Sequence, residues 1–319
     1  MPLPYTEKIL IERIRRRARP GTQVRQGIGD DCAVIRLPRG QEALVTTDFS
    51  LEGVHFRREW HPPDSVGHRC LTRGLSDIAA MGGDPIAAFL SLAAPRDLPQ
   101  FWINRFFDGL LGLANESRIT LAGGDIAESP AGVLADIVVL GSVARGQAIL
   151  RSGAHMGDLI YVTGELGLSS AVLQKLLAKE RVPAHLPKYA RHFYPSARID
   201  VARFLREKKI ATAMIDTSDG LSTDLAHICE ESHVGAEIEA AAIPCAPLGK
   251  QPVDLRFALH GGEDYELIFT APNASRIPDR ILGVRVSRIG HIVRGNRIRL
   301  KLGNGRLQPL SPRGWQHFS

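Results

Sequence analysis

The sequence predicts a two-domain α/β chain of α+β character, with a mixed N-terminal sheet domain followed by an α+β C-terminal domain. Three observations support this. At roughly 150 residues per domain, a chain of 319 residues amounts to about two domains. Short apolar runs suited to strands alternate with segments of helical spacing from one end to the other. A turn at Gly153 and a strand at 159–163 open a second such series, so the domains are expected at 1–148 and 149–319.

Ile9, Leu10, Ile14 and Ala18 fall at roughly helical spacing among Glu and Arg, and Pro20-Gly21 ends the pattern, giving a short amphipathic helix. Ala43 to Thr47 reads as a buried strand that delivers Thr46, Thr47 and Asp48 at its end. Asp64 suits the cap of a helix that turns Val66, Cys70, Leu71, Leu75 and Ile78 inward and stops at Gly82-Gly83. Gly74 inside that helix costs about 1 kcal/mol in propensity. Ile86 to Leu92 reads as a strand, Pro99 to Asn115 as a helix, and Ile119 to Leu121 as a short strand ending in Gly123-Gly124-Asp125. Leu134 to Val143 is the next strand.

In the second half, Leu168 to Leu177 reads as a helix, and the proline-rich, basic stretch from Arg181 to Pro195 reads as a surface connection. Ala211 to Ile215 is a strand leading into Asp216-Thr217-Ser218-Asp219-Gly220, with a helix from Leu221 to Cys229 after it. Gly261-Gly262-Glu263-Asp264 precedes the strand Tyr265 to Thr270, and the remainder alternates short strands with basic loops.

No apolar run approaches the roughly 18 residues of a membrane span, and charges interrupt the N-terminal stretch where an export signal would be apolar. The four cysteines form neither a CxxC pair nor a zinc spacing, so a soluble protein of a reducing cytoplasm is expected. A net charge of +6 admits nucleic acid, a membrane surface or small phosphorylated ligands as partners. No GxxxxGK[ST] loop, dinucleotide fingerprint or protein-kinase signature is present.

The recurrent pattern is an acid beside Gly, Ser or Thr: Gly29-Asp30-Asp31, Thr46-Thr47-Asp48, Ser76-Asp77, Gly124-Asp125, Asp216-Thr217-Ser218-Asp219 and Gly262-Glu263-Asp264. One such pair is a turn or a helix cap. Six of them point instead to carboxylates gathered around cations. Magnesium suits Asp and Thr oxygens, being hard, octahedral and accustomed to sharing its sites with phosphates.

GIGDDCAV, TTDFSLEGVHF, LSDIAAMGGDP, AGGDI, LRSGAHMGDLIYVTG, IDTSDGLSTDL, GGEDYELIFT and the terminal GWQHF, in this order, closely resemble the thiamine-monophosphate kinase family. That family lies in a superfamily with aminoimidazole ribonucleotide synthetase, selenophosphate synthetase and a hydrogenase maturation protein. The GxGDD, GGD and SDGL motifs are shared across the superfamily; EGVHF, LSDIAAMG, GGEDYEL and GW-x-HF are more specific. The resemblance implies a two-domain aminoimidazole-ribonucleotide-synthetase-like fold and transfer of the ATP γ-phosphate to thiamine phosphate, giving thiamine diphosphate and ADP. It also implies several Mg2+ ions, a homodimer formed through the N-terminal sheet, and active sites in the cleft between the domains.

By the same resemblance, Asp30, Thr46, Thr47, Asp48, Asp77, Asp125, Asp216 and Asp219 occupy metal positions. Gly124, Asp125, Arg151 and Ser218 match ATP positions, while His55, Glu263 and Trp315 match thiamine-phosphate positions. The chemistry is coherent, because phosphoryl transfer needs two phosphates held in line and their charge offset, and it needs no covalent nucleophile. Two departures stand out: Arg73-Gly74 precedes Leu75-Ser76-Asp77 where relatives read VNLSD, and Glu116-Ser117 stands where some carry aromatics suited to stacking on adenine. The competing readings are an aminoimidazole-ribonucleotide-type synthetase and a basic nucleic-acid-binding protein, the latter suggested by the arginine-rich stretches at 13–19 and 285–301.

Overall fold

The computed structural model describes residues 7–19, 21–28 and 32–315. These divide into two compact units, Met1–Ile78 with Gly83–Gly146, and Ala79–Gly82 with Gln147–Ser319. No helix among the described residues is long and apolar enough to cross a membrane.

The first unit runs α1 (Glu7–Arg17), β1 (Val24–Gln26), β2 (Val34–Ile35), β3 (Gln41–Leu51), α2 (Pro63–Ala80), β4 (Asp84–Ala94), α3 (Gln100–Glu116), β5 (Thr120–Glu128) and β6 (Leu134–Ala144). Its sheet has the order β3-β6-β4-β5, antiparallel except for the β4-β5 pair. Ala135, Ile137 and Val139 of β6 are fully buried on one face. There α2 packs, with Val66, Cys70, Leu71, Leu75 and Ile78 all buried. Gly74 earns its place here: a Cβ on it would stand 2.5 Å from Val139 Cγ2, so the local propensity loss permits close helix–sheet contact. The opposite face stays open, with Val45 67% and Phe49 51% exposed.

Three segments of this unit differ from the sequence reading. The strand read as 43–47 is eleven residues long and pairs with β6 along its whole length, so Thr46, Thr47 and Asp48 lie in mid-strand, with side chains alternating between faces. Likewise Gly123, Gly124 and Asp125 lie inside β5, next to a register shift on β4. At Gly124, φ is 150° and a Cβ would meet Leu90 O at 1.9 Å, so only glycine allows that strand approach. Asp64 sits within the first turn of α2, paired with Arg105 at 2.7 Å, while Pro63 already belongs to the helix.

The second unit runs β7 (Leu159–Thr163), α4 (Leu168–Leu177), α5 (Ala190–Phe193), α6 (Ile199–Glu207), β8 (Ala213–Asp216), α7 (Leu221–Glu231), β9 (Gly235–Glu239), β10 (Pro247–Leu248), β11 (Gln251–Pro252) and α8 (Leu255–His260). Then follow β12 (Leu267–Ala271), β13 (Arg280–Ile281), β14 (Val284–Val293), β15 (Ile298–Lys301) and β16 (Leu307–Pro309). The main sheet has the order β16-β15-β9-β14-β7-β12-β8, with β13 beside β14. Strands β7 and β12 and the end strand β8 are almost wholly buried on both faces, which is why they read as continuous apolar runs. Ile160, Val162, Ile215 and Ile268 face the core under α7, whereas Tyr161, Met214 and Phe269 face that under α6. The stretch read as a surface connection carries a 3₁₀ turn and α5, with Tyr189, His192 and Phe193 buried, because its prolines bound a segment whose aromatic residues enter the core.

Candidate active site

In the first unit, β3 and α2 bring together three of the residues singled out by sequence. Thr46 and Asp48 lie on the inner face of β3, two residues apart, opposite the buried Val139 and Ile137. Thr46 Oγ1 donates a hydrogen bond to Asp77 Oδ2. One turn earlier on the same helix, Arg73 donates to Asp48 Oδ1 at 3.2 Å. Thr47 points to the other face and donates to Asp136 Oδ1 at 2.7 Å, so its side chain is not part of this group. Asp125 lies on β5, three inter-strand steps or about 14 Å from β3, with its Oδ1 accepting from Ile126 N at 2.9 Å. Asp30 lies outside the described residues.

Beyond β3 the chain turns back on itself, with His55 N donating to Leu51 O at 2.9 Å. Leu51 N donates to His55 Nδ1 at 3.0 Å. A nitrogen that accepts from an amide carries no proton, so neutral His55 is protonated on Nε2 and presents that atom as a donor. Gly123, Gly124 and Asp125 rim an open pocket whose walls include Ile11 and Ile14 of α1, Ile28 and Phe107. Its apolar walls and glycine rim suit a flat base with a polar tail.

In the second unit the loop after β8 is the organising element. Asp216, buried, ends β8, and Ser218 and Asp219 follow it. Glu263 N donates to Ser218 O at 2.8 Å, and Trp315 N donates to Asp219 O at 3.2 Å. Gly314 N donates to Thr223 Oγ1 at 2.9 Å. Residues nearly a hundred positions apart in sequence therefore meet on one loop, with the Trp315 side chain half exposed beside it. Arg151 is exposed, and its carbonyl accepts from Ser232 Oγ at 2.7 Å.

Sequence reading missed Asp224. It is 1% exposed and accepts from Gly220 N at 2.8 Å. Burial first, and then the carboxylates of Asp216 and Asp219, push its carboxyl well above the usual range. The signal was available in IDTSDGLSTDL, where a third acid falls in the first turn of the helix that the loop opens. Among the described residues no three His, Cys, Asp or Glu side chains form a ready-made metal cage. The donors are oxygens in ones and twos. That is a fit to magnesium, which takes one or two carboxylates and completes its octahedron with phosphate and water.

Residues 29–143 match the family model described as AIR synthase related protein, N-terminal domain, and residues 156–303 match the corresponding C-terminal domain. The chain is 41% identical over 261 residues to thiamine-monophosphate kinase of Salmonella typhimurium, covering 79% of this chain and 78% of the relative. The chain belongs to the thiamine-monophosphate kinase family. A family structure from Stenotrophomonas maltophilia superposes with a TM-score of 0.83 at 33% identity, covering 94% of this chain and 97% of that one. AaThiL complexed with AMPPCP and TMP gives 0.77 at 32% identity, over 98% and 97% of the two chains. The two-domain α+β architecture expected from the motifs is thus the family's own, and the residues of β3, α2 and the Asp216–Gly220 loop stand within it.

Proposed function

We propose that this protein transfers the γ-phosphate of ATP to thiamine phosphate, yielding thiamine diphosphate and ADP. The observation that carries the reading is the gathering of Glu263 and Trp315 against the loop that holds Ser218 and Asp219, in a chain 32% identical to a structure holding TMP and an ATP analogue. An oxygen of the acceptor phosphate attacks the γ-phosphorus while the bond to the β,γ-bridging oxygen breaks, and no enzyme nucleophile takes part. Binding and alignment are the whole task of the protein.

The nucleotide base is assigned to the pocket behind Gly124 and Asp125, whose apolar walls stand in for the aromatics absent at Glu116 and Ser117. Arg151 suits the triphosphate, because a guanidinium forms two parallel hydrogen bonds to phosphate oxygens. The backbone around Gly124 and Ser218 allows close approach of the same groups. His55 Nε2–H suits an acceptor phosphate oxygen, and Glu263 and the exposed indole of Trp315 suit the cationic thiazolium and flat pyrimidine. The oxygens of Thr46, Asp48 and Asp77, and those of Asp216 and Asp219, would hold Mg2+, with Asp125 and Asp30 assigned to the same duty. Bound there, the metal offsets the charge between two anionic phosphates.

The N-terminal unit, 1–148, is assigned to nucleotide, metal and dimer contacts and 149–319 to completing the substrate site. The open sheet face with exposed Val45 and Phe49 suits pairing with a second copy. Four free cysteines suit a reducing cytoplasm. The basic stretch that suggested nucleic acid carries its own counter-charges, since Arg299 pairs with Glu237 and Lys301 lies 3.8 Å from Glu239. The test is formation of ADP and thiamine diphosphate from ATP and thiamine phosphate, with and without Mg2+, against free thiamine and aminoimidazole-type precursors. Metal-dependent thiamine diphosphate is expected; folded protein that turns over only another acceptor would overturn the substrate assignment.

A further inference from the structure

We propose that Arg191 and Arg198 are positioning residues for the thiamine-phosphate subsite, acting through the buried carboxylate of Glu266 on the loop that presents Glu263. The inference rests on the kinase reading above. Between α8 and β12 the chain reads Gly261-Gly262-Glu263-Asp264-Tyr265-Glu266, and it takes a conformation that side chains other than glycine's rarely adopt. Glu263 has φ 66° and Tyr265 has φ 52°. Two left-handed residues in three persist only where the surroundings over-determine them.

The surroundings come from both sides. Alternate backbone groups tie the loop to the strand of chain after β8. Glu263 N and Tyr265 N donate to Ser218 O and Thr217 O at 2.8 and 3.1 Å, and Thr217 N donates back to Glu266 O at 2.7 Å. The two intervening acids point the other way. Asp264 accepts from Gly167 N and Ser169 N at the start of α4. Glu266 is 0% exposed and accepts from Thr163 Oγ1 at 2.7 Å, Arg191 at 2.9 Å and Arg198 Nε at 2.6 Å. Gly164, at φ 58°, leaves room for that carboxylate, since a Cβ there would stand 2.0 Å from Glu266 Oε1.

A carboxylate with no exposure is stable as an anion only if it is paired and hydrogen-bonded. Arg191 lies on α5, within the stretch that sequence reading took as plain connection, and Arg198 stands just beyond that stretch at the start of α6. Arg191 also donates to Glu165 O at 2.7 Å, which clamps the turn before α4 to the same centre. Weakening this anchor loosens the backbone of Glu263 and leaves the pocket behind Gly124, in the other unit, untouched. The expected signature is therefore selective for the acceptor.

The experiment is steady-state kinetics of the full-length R191Q protein, in which Arg198 still pairs with Glu266, with R191K as the conservative partner. R191Q is expected to raise KM for thiamine phosphate about tenfold, with kcat and the KM for ATP within about twofold of wild type and R191K in between. A lower Tm with an unchanged thiamine-phosphate KM would mean that the cluster is purely structural and would overturn the proposal. Should R191Q fail to fold, R191K is read the same way: a rise of about two- to fivefold supports the role and an unchanged KM overturns it. Wild-type protein that forms no thiamine diphosphate would overturn the kinase reading and this inference with it, whereas active wild type with an unmoved KM in the variants would overturn this inference alone.

Discussion

Asp48 and Asp77 are held side by side by unlike partners, a guanidinium on the first and a threonine hydroxyl on the second. With both carboxylates assigned to the metal under the proposed function, Asp48→Asn is expected to lower kcat/KM by about 100-fold, with the thermal transition little moved. Steady-state kinetics beside a thermal melt checks this, and an active variant would return the acid to a structural part. Asp264 shows a different balance. Burial pushes its carboxyl from the ordinary 3.8 up to about 7, against the pull of the Gly167 amide and of Arg191. Between those values the native state holds a proton that the unfolded chain has released, so stability falls as pH rises from about 4 to about 7. Asp264→Asn removes that slope, and urea melts across the range are expected to show the variant gaining on wild type as pH rises. Parallel pH profiles would show that the carboxyl titrates alike in both states.

At the scale of elements, α2 and α3 approach until backbone meets backbone. A Cβ on Gly67 would stand 1.9 Å from Phe106 O, and one on Gly109 would stand 1.8 Å from Asp64 O. Gly109→Ala is expected to destabilise the chain by about 3 kcal/mol, the range of overpacking in a tight core. Gly112, on the same helix with nothing within 4 Å, is the control. Its change to Ala is expected to stabilise by up to about 1 kcal/mol through helix propensity and the unfolded state. Equal effects at the two positions in denaturant melts would refute the close-approach account. The helices were legible in sequence because apolar residues at helical spacing mark the buried face whatever it is buried against. Strand ends were not. Thr46 to Asp48 and Gly123 to Asp125 look like terminators, yet both sit in mid-strand, since pairing with β6 and β4 supplies the hydrogen bonds that such residues otherwise seek in turns.

For the whole molecule, the open face of the first sheet is the feature with the widest consequence. Val45 and Phe49 are large, exposed and on one side of β3. Such a face on a folded chain is suited to a partner. Val45→Lys with Phe49→Lys is expected to convert the proposed dimer into monomers, read by sedimentation velocity, while an unchanged dimer would move the interface elsewhere and a monomeric wild type would overturn the dimer. The sequence by itself determined the class of chemistry and the class of fold. Acids beside small residues pointed to a site for cations and phosphate, and eight ordered motifs, by their resemblance to a family, pointed to phosphoryl transfer on a two-domain scaffold, because residue type and order carry that information locally. Only the tertiary structure decided which of those residues meet. Thr46 is separated from Thr47 by strand alternation, Trp315 reaches Asp219 through a backbone hydrogen bond, and Asp224 and Glu266 come to light as buried acids. Side-chain facing, burial and long-range hydrogen bonding depend on which strand lies beside which, and that is a property of the packed chain that no single segment contains.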